Sequence, residues 1–216
     1  MYNGNLAKTL TVCKCYLGKG ETAVDAIRFD VKFWPAGTGS AVWDNPHAEQ
    51  LVQRFMPPDR KHGPMIGILH LGALRPTPSV LRDVVVAIGE DNRAGRYGNF
   101  TFIVSSEDGA TRSVVSDIAA AQDLAIFISS SPTHLEQAEP AGALTTNDLE
   151  TLSFVLSGGG TVTATELAGQ LGIEQTTAGN RLIALHRKGY LQRIERPHPS
   201  GDQFVDPRSV RFDVSQ

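Results

Sequence analysis

The side chains whose chemistry is easiest to interpret lie between Gln175 and Lys188, where short polar and basic residues recur at helical spacing. At about 100° per residue, one face of such a helix collects Ala178, Leu182 and Leu185. The opposite face carries Thr176, Asn180, Ile183, Ala184 and Arg187, with Thr177 and Arg181 on one flank. Asn, Thr and Arg side chains match the hydrogen-bonding groups of DNA base edges and phosphates. The spacing therefore predicts contacts with a duplex through Gln175, Thr176, Thr177, Asn180, Arg181, Arg187 and Lys188.

A second set of basic and polar residues follows within the stretch IERPHPSGDQFVD. We predict that it is the tip of a two-stranded ribbon that contacts DNA through Arg193, Arg196, His198 and Ser200. Arginine suits a narrow minor groove because the electrostatic potential there is more negative. The alternative is an exposed hairpin connection, built by its prolines and glycine, whose arginines are simply solvated.

Local signals mark the elements that would position these groups. Thr163 and Glu166 form a capping box, in which each side chain covers a backbone amide at the helix start. Gly172 and Gly189 each supply a left-handed residue at a helix end. Residues 190–195 alternate apolar and polar, which predicts a half-buried strand. This order of elements resembles the winged helix-turn-helix module of bacterial transcription regulators, and the resemblance implies that the second helix reads duplex DNA.

Charge keeps a second interpretation open. Residues 141–216 contain seven Lys/Arg and eight Asp/Glu, so the segment lacks the strong positive charge that phosphate binding favours. Five of the basic residues fall between Arg181 and Arg196, which can still give a local positive stripe. Winged helices also dock onto proteins, and Ile183 and Ala184 on the outer face favour that role. The alternative function is therefore a protein interaction module or scaffold.

The 216-residue chain has 41% hydrophobic and 20% charged residues with a net charge of −3, as expected for a soluble globular protein. It has no apolar run long enough to span a bilayer and no export signal, which predicts a cytoplasmic protein without membrane contact. Cys13 and Cys15 lie two residues apart in an expected strand. Without further ligands at suitable spacing, we interpret them as small apolar fillers and predict no metal site.

The first 131 residues mix strands and helices. Strands are predicted at Leu10–Leu17, Ala26–Phe33, Met65–Leu71, Asn99–Val104 and Ala125–Ile128. Helices are predicted at Pro46–Phe55, Ser79–Ile88 and Asp108–Leu124, and a further helix at Thr146–Leu156 opens the C-terminal part. The alternation favours an α/β (or α+β) fold with helices packed on a sheet. Residues 129–143 carry two prolines and no apolar periodicity, which is typical of a linker.

The stretch GILHLGALRPTPSVLRDVVVAI is similar to the strand–loop–helix centre of STAS-like domains, the anti-sigma-antagonist type of α/β module. The resemblance places a phosphorylation or partner-contact site at Gly72, Thr77 and Ser79. Here Thr77-Pro78-Ser79-Val80 replaces the family's Asp-Ser-Ser-Gly character. The simpler interpretation is that Thr77 or Ser79 caps a helix.

Residues suited to catalysis are scattered. Residues 18–23 lack the spacing of a phosphate-binding P-loop, and the glycine-rich residues 35–45 do not form a dinucleotide-binding motif. Ser105, Ser106 and Ser129–Ser131 follow strands, where α/β ligand sites form but where turn serines are also common. His70 lies inside an apolar strand. We find no nucleophile, base and acid in a recognisable order, and we predict neither an enzyme nor a cofactor.

Together these patterns predict three segments: an α/β sensor or dimerisation domain over residues 1–131, a linker over 132–143, and a winged helix-turn-helix domain over 144–216. The expected function is DNA-binding transcription regulation by a homodimer, because one recognition helix covers too few base pairs for specificity. The first domain would receive a protein partner or a small-molecule ligand. A ligand-dependent enzyme fused to a regulatory winged domain is a third alternative.

Overall fold

The computed structural model describes the backbone of residues 8–17, 22–31, 65–194, 201–209 and 211–212. Side chains are described within residues 65–194 and 201–209. The chain is a mixed α/β protein, as expected, and its largest element is a seven-stranded sheet with the order β10-β1-β2-β3-β4-β5-β6. These strands are β1 (Lys8–Leu17), β2 (Thr22–Val31), β3 (Met65–Gly72), β4 (Phe100–Ser106), β5 (Ile126–Ser129), β6 (Glu139–Ala141) and β10 (Arg211–Phe212).

The centre of the sheet is parallel and its margins are antiparallel. Strands β2, β3, β4 and β5 run in one direction, while β1, β6 and β10 pair antiparallel with their neighbours. Helix α1 (Pro78–Arg93) connects β3 to β4, and helix α2 (Gly109–Gln122) connects β4 to β5. Parallel neighbouring strands need such crossovers, because the chain must return to the end of the sheet where the first strand began. A short hairpin would join the strands in antiparallel orientation.

Alternate residues of the central strands point to opposite faces of the sheet. Leu69, Phe102 and Ile126 pack with α1 and α2 in one apolar core. Ile68, Ile103 and Phe127 belong to a second core, on the other face. This two-sided burial explains why β3 and β4 have nearly continuous apolar sequences.

Residues 132–143, which the sequence predicts to be a linker, contain regular structure. The segment contains a 3₁₀ turn at Leu135–Gln137 and the edge strand β6, which pairs with β5. Leu135, Ala138 and Ala141 recur at intervals of three and are all buried. Three apolar residues among prolines and polar groups give neither the alternation of a strand nor the period of a long helix. The sequence pattern therefore does not predict that these residues belong to the core.

The C-terminal elements are helix α3 (Thr146–Ser157), strand β7 (Thr161–Thr163), helices α4 (Ala164–Leu171) and α5 (Gln175–Lys188), and strands β8 (Gln192–Ile194) and β9 (Gln203–Val205). Strands β7, β9 and β8 form a separate antiparallel sheet in that order. A 3₁₀ turn at Pro207–Ser209 follows β9. The expected helix over 146–156 is therefore confirmed, although Leu149 is 45% exposed and does not join its buried side.

These C-terminal elements pack directly on the large sheet. The second apolar core joins Ile66, Ile68 and Phe127 of the large sheet to Leu152 of α3 and Tyr190 after α5. The chain then returns to the large sheet, because β10 pairs with β1. The predicted boundaries at 131 and 144 therefore do not separate two independent cores.

A buried ion pair fixes the segment that leads back to the sheet. Asp206 is fully buried, and its carboxylate accepts hydrogen bonds from Arg208 Nε at 3.0 Å and Nη2 at 2.7 Å. Burial raises the pKa of Asp206, while Arg208 opposes that shift. The Arg208 guanidinium lies 5.1 Å from the centre of the Phe127 ring and also donates to the Ala138 carbonyl.

The remaining strand and helix predictions differ from the structure mainly at their ends. Helix α1 continues five residues past the predicted end at Ile88, and β2 begins at Thr22 instead of Ala26. Cys13 and Cys15 lie in β1, as expected. The predicted helix at Pro46–Phe55 falls outside the described residues.

Candidate nucleic-acid interface

Helices α4 and α5 are joined by a three-residue turn whose geometry follows from local sequence. Thr163 Oγ1 accepts a hydrogen bond from the Glu166 amide, and Glu166 Oε2 accepts one from the Thr163 amide at 2.7 Å. At the other end of α4, Gly172 adopts a left-handed conformation with φ 65°. Both features confirm the predicted start and end of the helix, and the left-handed Gly172 turns the chain toward the start of α5.

The inner face of α5 is anchored as the sequence predicted. Ala178, Leu182 and Leu185 are all fully buried in the second apolar core. Ile183, which the helical projection places on the outer face, is partly buried because it packs against the same core. Gly179 faces α4, where an added Cβ would lie 3.7 Å from Ala164 Cβ. That distance is an ordinary contact, so packing does not require glycine here.

The outer face of α5 is exposed to solvent, and at its C-terminal end Arg187 and Lys188 line a pocket together with Asn92 and Asp123 of the first half. Its exposed members are Gln175, Thr176, Thr177, Asn180, Ala184, Arg187 and Lys188. Gln175 Nε2 donates to Thr165 Oγ1 at 3.0 Å, which ties the start of α5 to α4. The structure therefore brings the predicted helix residues together on one accessible surface, which we call the α5 surface.

Three of the predicted basic residues are paired with acids. Arg181 contacts Glu150 of α3 at 3.1 Å, and Lys188 contacts Asp148 at 2.9 Å. Arg193 bonds Asp202 across the ribbon through both Nε and Nη2. Each of these acids is an alternative partner to a DNA phosphate, so the pairs reduce the positive potential of the surface. Sequence reasoning missed these pairs because the partners of Arg181 and Lys188 lie 31 and 40 residues away.

Arg187 differs from the other cations of the α5 surface. It is exposed in the last turn of α5 and has no ion pair with any described residue. A guanidinium that is not already neutralised can bind a phosphate without first losing a protein partner. Within the described part of the chain, Arg187 is therefore the cation of this surface best prepared for a phosphate contact.

The predicted ribbon exists, but only its base is described. Strands β8 and β9 pair antiparallel, with Arg193 opposite Phe204. Arg196, His198 and Ser200 of the predicted tip lie outside the described residues. The predicted alternation of residues 190–195 is wrong at its start, since Tyr190, Leu191 and Gln192 are all buried. Gln192 is buried with its Nε2 donating to the Met65 carbonyl at 2.7 Å.

The C-terminal end of α5 is held against the large sheet by polar contacts. Thr101 Oγ1 of β4 donates to the Gly189 carbonyl at 3.2 Å. The Asn99 side chain donates to the Arg193 carbonyl at 2.6 Å and accepts from the Arg193 amide at 3.1 Å. Tyr190 Oη donates to the Ala141 carbonyl at 2.7 Å, and burial raises the pKa of this phenol. These bonds fix the direction in which the α5 surface points.

The strand ends hold one pairing that sequence reasoning missed. His70 Nδ1 lies 3.3 Å from Ser105 Oγ, and the two residues are register partners on β3 and β4. Asp30 is the register partner of His70 on β2, and Ser129 is that of Ser105 on β5. Ser105 is fully buried, so its hydroxyl does not face solvent. The signal was the common position of these residues near the ends of neighbouring parallel strands.

Other strand-end hydroxyls form local hydrogen bonds. Ser106 Oγ donates to the Gly72 carbonyl at 3.2 Å, and Ser129 Oγ donates to the Ser131 carbonyl at 2.7 Å. Thr77 occupies the N-cap of α1, but its hydroxyl lies 3.0 Å from Ser79 Oγ and makes no cap bond. Among the described residues, no cluster of His, Cys, Asp and Glu is arranged to hold a metal ion.

No family model, curated protein or solved structure matches this chain. In the described residues, no helix combines the length and the apolar character needed to cross a bilayer. The fold is that of an α/β protein with an additional antiparallel sheet, and the α5 surface gathers exposed polar and basic side chains along one helix.

Proposed function

We propose that the protein is a DNA-binding transcription regulator in which residues 146–205 form a winged helix-turn-helix and α5 is the recognition helix. The observation that carries the proposal is that α5 has a buried apolar side and an exposed polar side. Its apolar side, Ala178, Leu182 and Leu185, is fully buried, while Asn180 and Arg187 are exposed on the opposite side. A helix that enters the major groove needs this combination of a rigid anchor and an accessible polar face.

Base recognition falls to the short polar side chains of α5. Asn180 is suited to a bidentate pair with adenine, and the methyl groups of Thr176 and Thr177 are suited to contact with thymine. All three residues are exposed. Thr176 and Thr177 lie in the first turn of α5, the end of a recognition helix that reaches base edges in this class of module.

The basic residues contact the phosphate backbone of the DNA. Arg187 contributes to affinity directly, whereas Arg181, Lys188 and Arg193 must exchange a carboxylate for a phosphate. That exchange makes their net contribution smaller than that of an unpaired cation. The nearby acids also repel the duplex, so binding to a non-cognate sequence is weak and the discrimination depends on the bases.

The α/β part serves dimerisation or signal reception, and the regulator acts as a homodimer on two half-sites. A single recognition helix reads too few base pairs to select one site in a genome. The polar bonds between Thr101 and Gly189 and between Asn99 and Arg193 support this division of labour. They would transmit a change in the large sheet to the recognition helix as a rigid-body movement.

A salt series tests the proposal. Binding of the purified protein to duplex DNA should weaken steeply with salt, because each neutralised phosphate releases counterions. Replacing Arg187→Gln should lower the slope of log affinity against log salt by about one unit per protomer. Arg82→Gln is the matched control, because Arg82 is exposed on α1 but lies far from α5. Only the C-terminal end of α1, which is three turns away at Arg93, approaches Gly189 at the end of α5. Absence of DNA binding at low salt would refute the proposal.

A second function, docking onto a partner protein, is favoured by the neutralised cations. Three of the basic residues are already paired, and Ile183 and Ala184 add apolar area to the outer side of α5. A docking module should have little affinity for DNA at any ionic strength. The same salt series therefore separates the two functions.

A further inference from the structure

An open polar cleft of about 600 Å³ lies between α2 and the edge of the large sheet formed by β5 and β6. The α2 wall presents Arg112, Ser113 and Ser116, and the β6 wall presents Glu139. The volume falls within the range of about 300–1,000 Å³ that small-molecule sites occupy. The cleft is on the sheet face opposite the C-terminal elements and is separate from the α5 surface.

Strand register places the acidic group on the side of the cleft. Glu139 is the register partner of Ile128, and Ala141 is the partner of Ile126. Register partners point to the same face of a sheet, and Ile126 and Ile128 pack in the apolar core beneath α1 and α2. The Glu139 side chain is therefore directed to the α2 side of β6, and its exposure leaves the carboxylate accessible.

The basic group on the opposite wall is fixed by the protein itself. Arg112 Nη1 donates to the carbonyl oxygens of Ser106 at 2.6 Å and Glu107 at 3.0 Å. These two bonds hold the guanidinium in place and occupy one of its three nitrogens. The edge formed by Nε and Nη2 has the geometry for a bidentate carboxylate.

The cleft is thus lined by one cation on the α2 wall and one anion on the β6 wall, by serine hydroxyls beside the cation, and by the apolar residues Ile128 and Ala141. An anion or a cation alone would satisfy one wall and be repelled by the other. A small molecule that carries both a carboxylate and an ammonium satisfies both walls. Hydroxyl groups can hydrogen-bond either end, and the apolar residues can accept an aliphatic portion.

We infer that this cleft binds a small zwitterion of the α-amino-acid type and acts as the effector site of the protein. The carboxylate binds Arg112 and the ammonium binds Glu139. The effector role rests on the proposed DNA-binding function, whereas the binding site does not.

A short chain of contacts joins the cleft to α5. Ala141 lines the cleft with its side chain, and its carbonyl accepts the 2.7 Å hydrogen bond from Tyr190. Tyr190 follows Gly189, the residue that ends α5. The next residue after Ala141 is also tightly packed: a Cβ on Gly142 would lie 2.2 Å from the Leu124 carbonyl oxygen. A displacement of β6 on ligand binding therefore moves the end of α5 instead of being absorbed in the loop.

The binding site is tested in the absence of DNA. The unfolding temperature of the full chain is measured with each of the twenty protein amino acids, followed by calorimetric titration of those that raise it. At least one amino acid should bind, and the matching amine and carboxylic acid that lack one of the two charges should not. Glu139→Gln should weaken binding roughly tenfold. Glu136→Gln is the control, because Glu136 is exposed nearby and pairs with His134 outside the cleft.

If no amino acid binds, or if Glu139→Gln binds as tightly as the native chain, the inferred site is wrong. That result leaves the DNA-binding proposal untouched. If an amino acid binds through Glu139 while the protein has no affinity for DNA, the site stands and the proposed function fails.

The effector role is tested with Tyr190→Phe, which removes the bond to Ala141 and preserves the ring. In the native chain, the bound amino acid should change the affinity for duplex DNA by roughly fivefold or more. In Tyr190→Phe the amino acid should still bind, within about twofold of its native affinity, but the change in DNA affinity should disappear. A native chain whose DNA affinity is the same with and without the amino acid would overturn the effector role.

Discussion

On one face of the large sheet, α1 and α2 cover strands that immediately precede and follow them in the chain. On the opposite face, the sheet is covered by elements that are distant in the sequence. For example, Gln192 of β8 donates a hydrogen bond to the carbonyl of Met65, which lies 127 residues earlier in the chain. The first layer is attached mainly by apolar contacts in the core around Val85, Ile88 and Phe102. The second layer adds buried polar bonds to its apolar core. This difference indicates that apolar packing holds the layers together, whereas the polar bonds specify how the C-terminal elements are oriented.

The largest expected effect comes from breaking the buried ion pair that closes the second layer. Asp206→Asn leaves the Arg208 guanidinium, only 8% exposed, without a counter-charge. We expect the free energy of unfolding to fall by about 3–5 kcal/mol, measured by urea denaturation. Asp202→Asn is the comparison, because the Arg193–Asp202 pair is about one-third exposed on both sides and should cost less than about 1 kcal/mol. Equal losses in the two variants would contradict the account.

A smaller loss should follow from opening a cavity in the apolar part of the same layer. Leu152 is 1% exposed in the second core, whereas Leu149, one turn earlier in α3, is 45% exposed. Leu152→Ala should destabilise the protein by about 2–4 kcal/mol. Leu149→Ala should change the free energy of unfolding by less than about 0.5 kcal/mol. Similar effects at both positions would mean that α3 is not docked on the sheet by this face.

One buried hydrogen bond between the layers isolates the polar contribution. Thr101→Val keeps the shape of the side chain but removes the donor to the Gly189 carbonyl. The expected loss is about 1–2 kcal/mol, because the buried carbonyl loses a partner. Thr133→Val at an exposed site is the control. If Thr101→Val matched its control in thermal unfolding, the orientation of α5 would not depend on this bond.

The smallest expected effect concerns the exposed side of the C-terminal elements and its response to acid. Burial alone would raise the pKa of Asp148, but the Thr145 amide and Lys188 lower it below the usual 3.8. Stability supplied by this carboxylate is therefore present above pH 3.8 and lost as the pH falls through the lowered pKa. The native chain should lose stability more steeply in that range than Asp148→Asn. Parallel curves of unfolding temperature against pH would contradict the assignment.

Local chemistry was predictable from the sequence where partners lie within a few residues. The capping box of Thr163 and Glu166 marks the start of α4, and the left-handed Gly172 marks its end. Both signals can be read within a few residues of the sequence. The buried side of α5 followed from its 3.6-residue period. The long apolar runs of β3 and β4 likewise indicated strands inside an α/β sheet.

Features that depend on distant partners were not predictable. Strand β6 is three residues long and is defined by its pairing with β5, so the sequence pattern of residues 132–143 predicts a linker and gives no sign of the strand. Gln192 is polar yet fully buried, and the acceptor of its Nε2 hydrogen bond lies 127 residues away at the start of β3. The ion pair between Arg181 and Glu150 also changed the expected charge of the α5 surface, since no local pattern links helices α3 and α5.

Selection of bound sequences from a pool of random duplexes, compared between the native chain and Asn180→Ala, tests the central claim most directly. Asn180 is exposed on α5 and makes none of the buried contacts of the fold, so the variant should unfold like the native chain. The native chain should enrich one short sequence motif. Asn180→Ala should still bind DNA but lose its preference at one base pair of the motif, by about 1–3 kcal/mol. An unchanged motif, or the absence of any enriched sequence with the native chain, would contradict the claim that this face of α5 reads DNA.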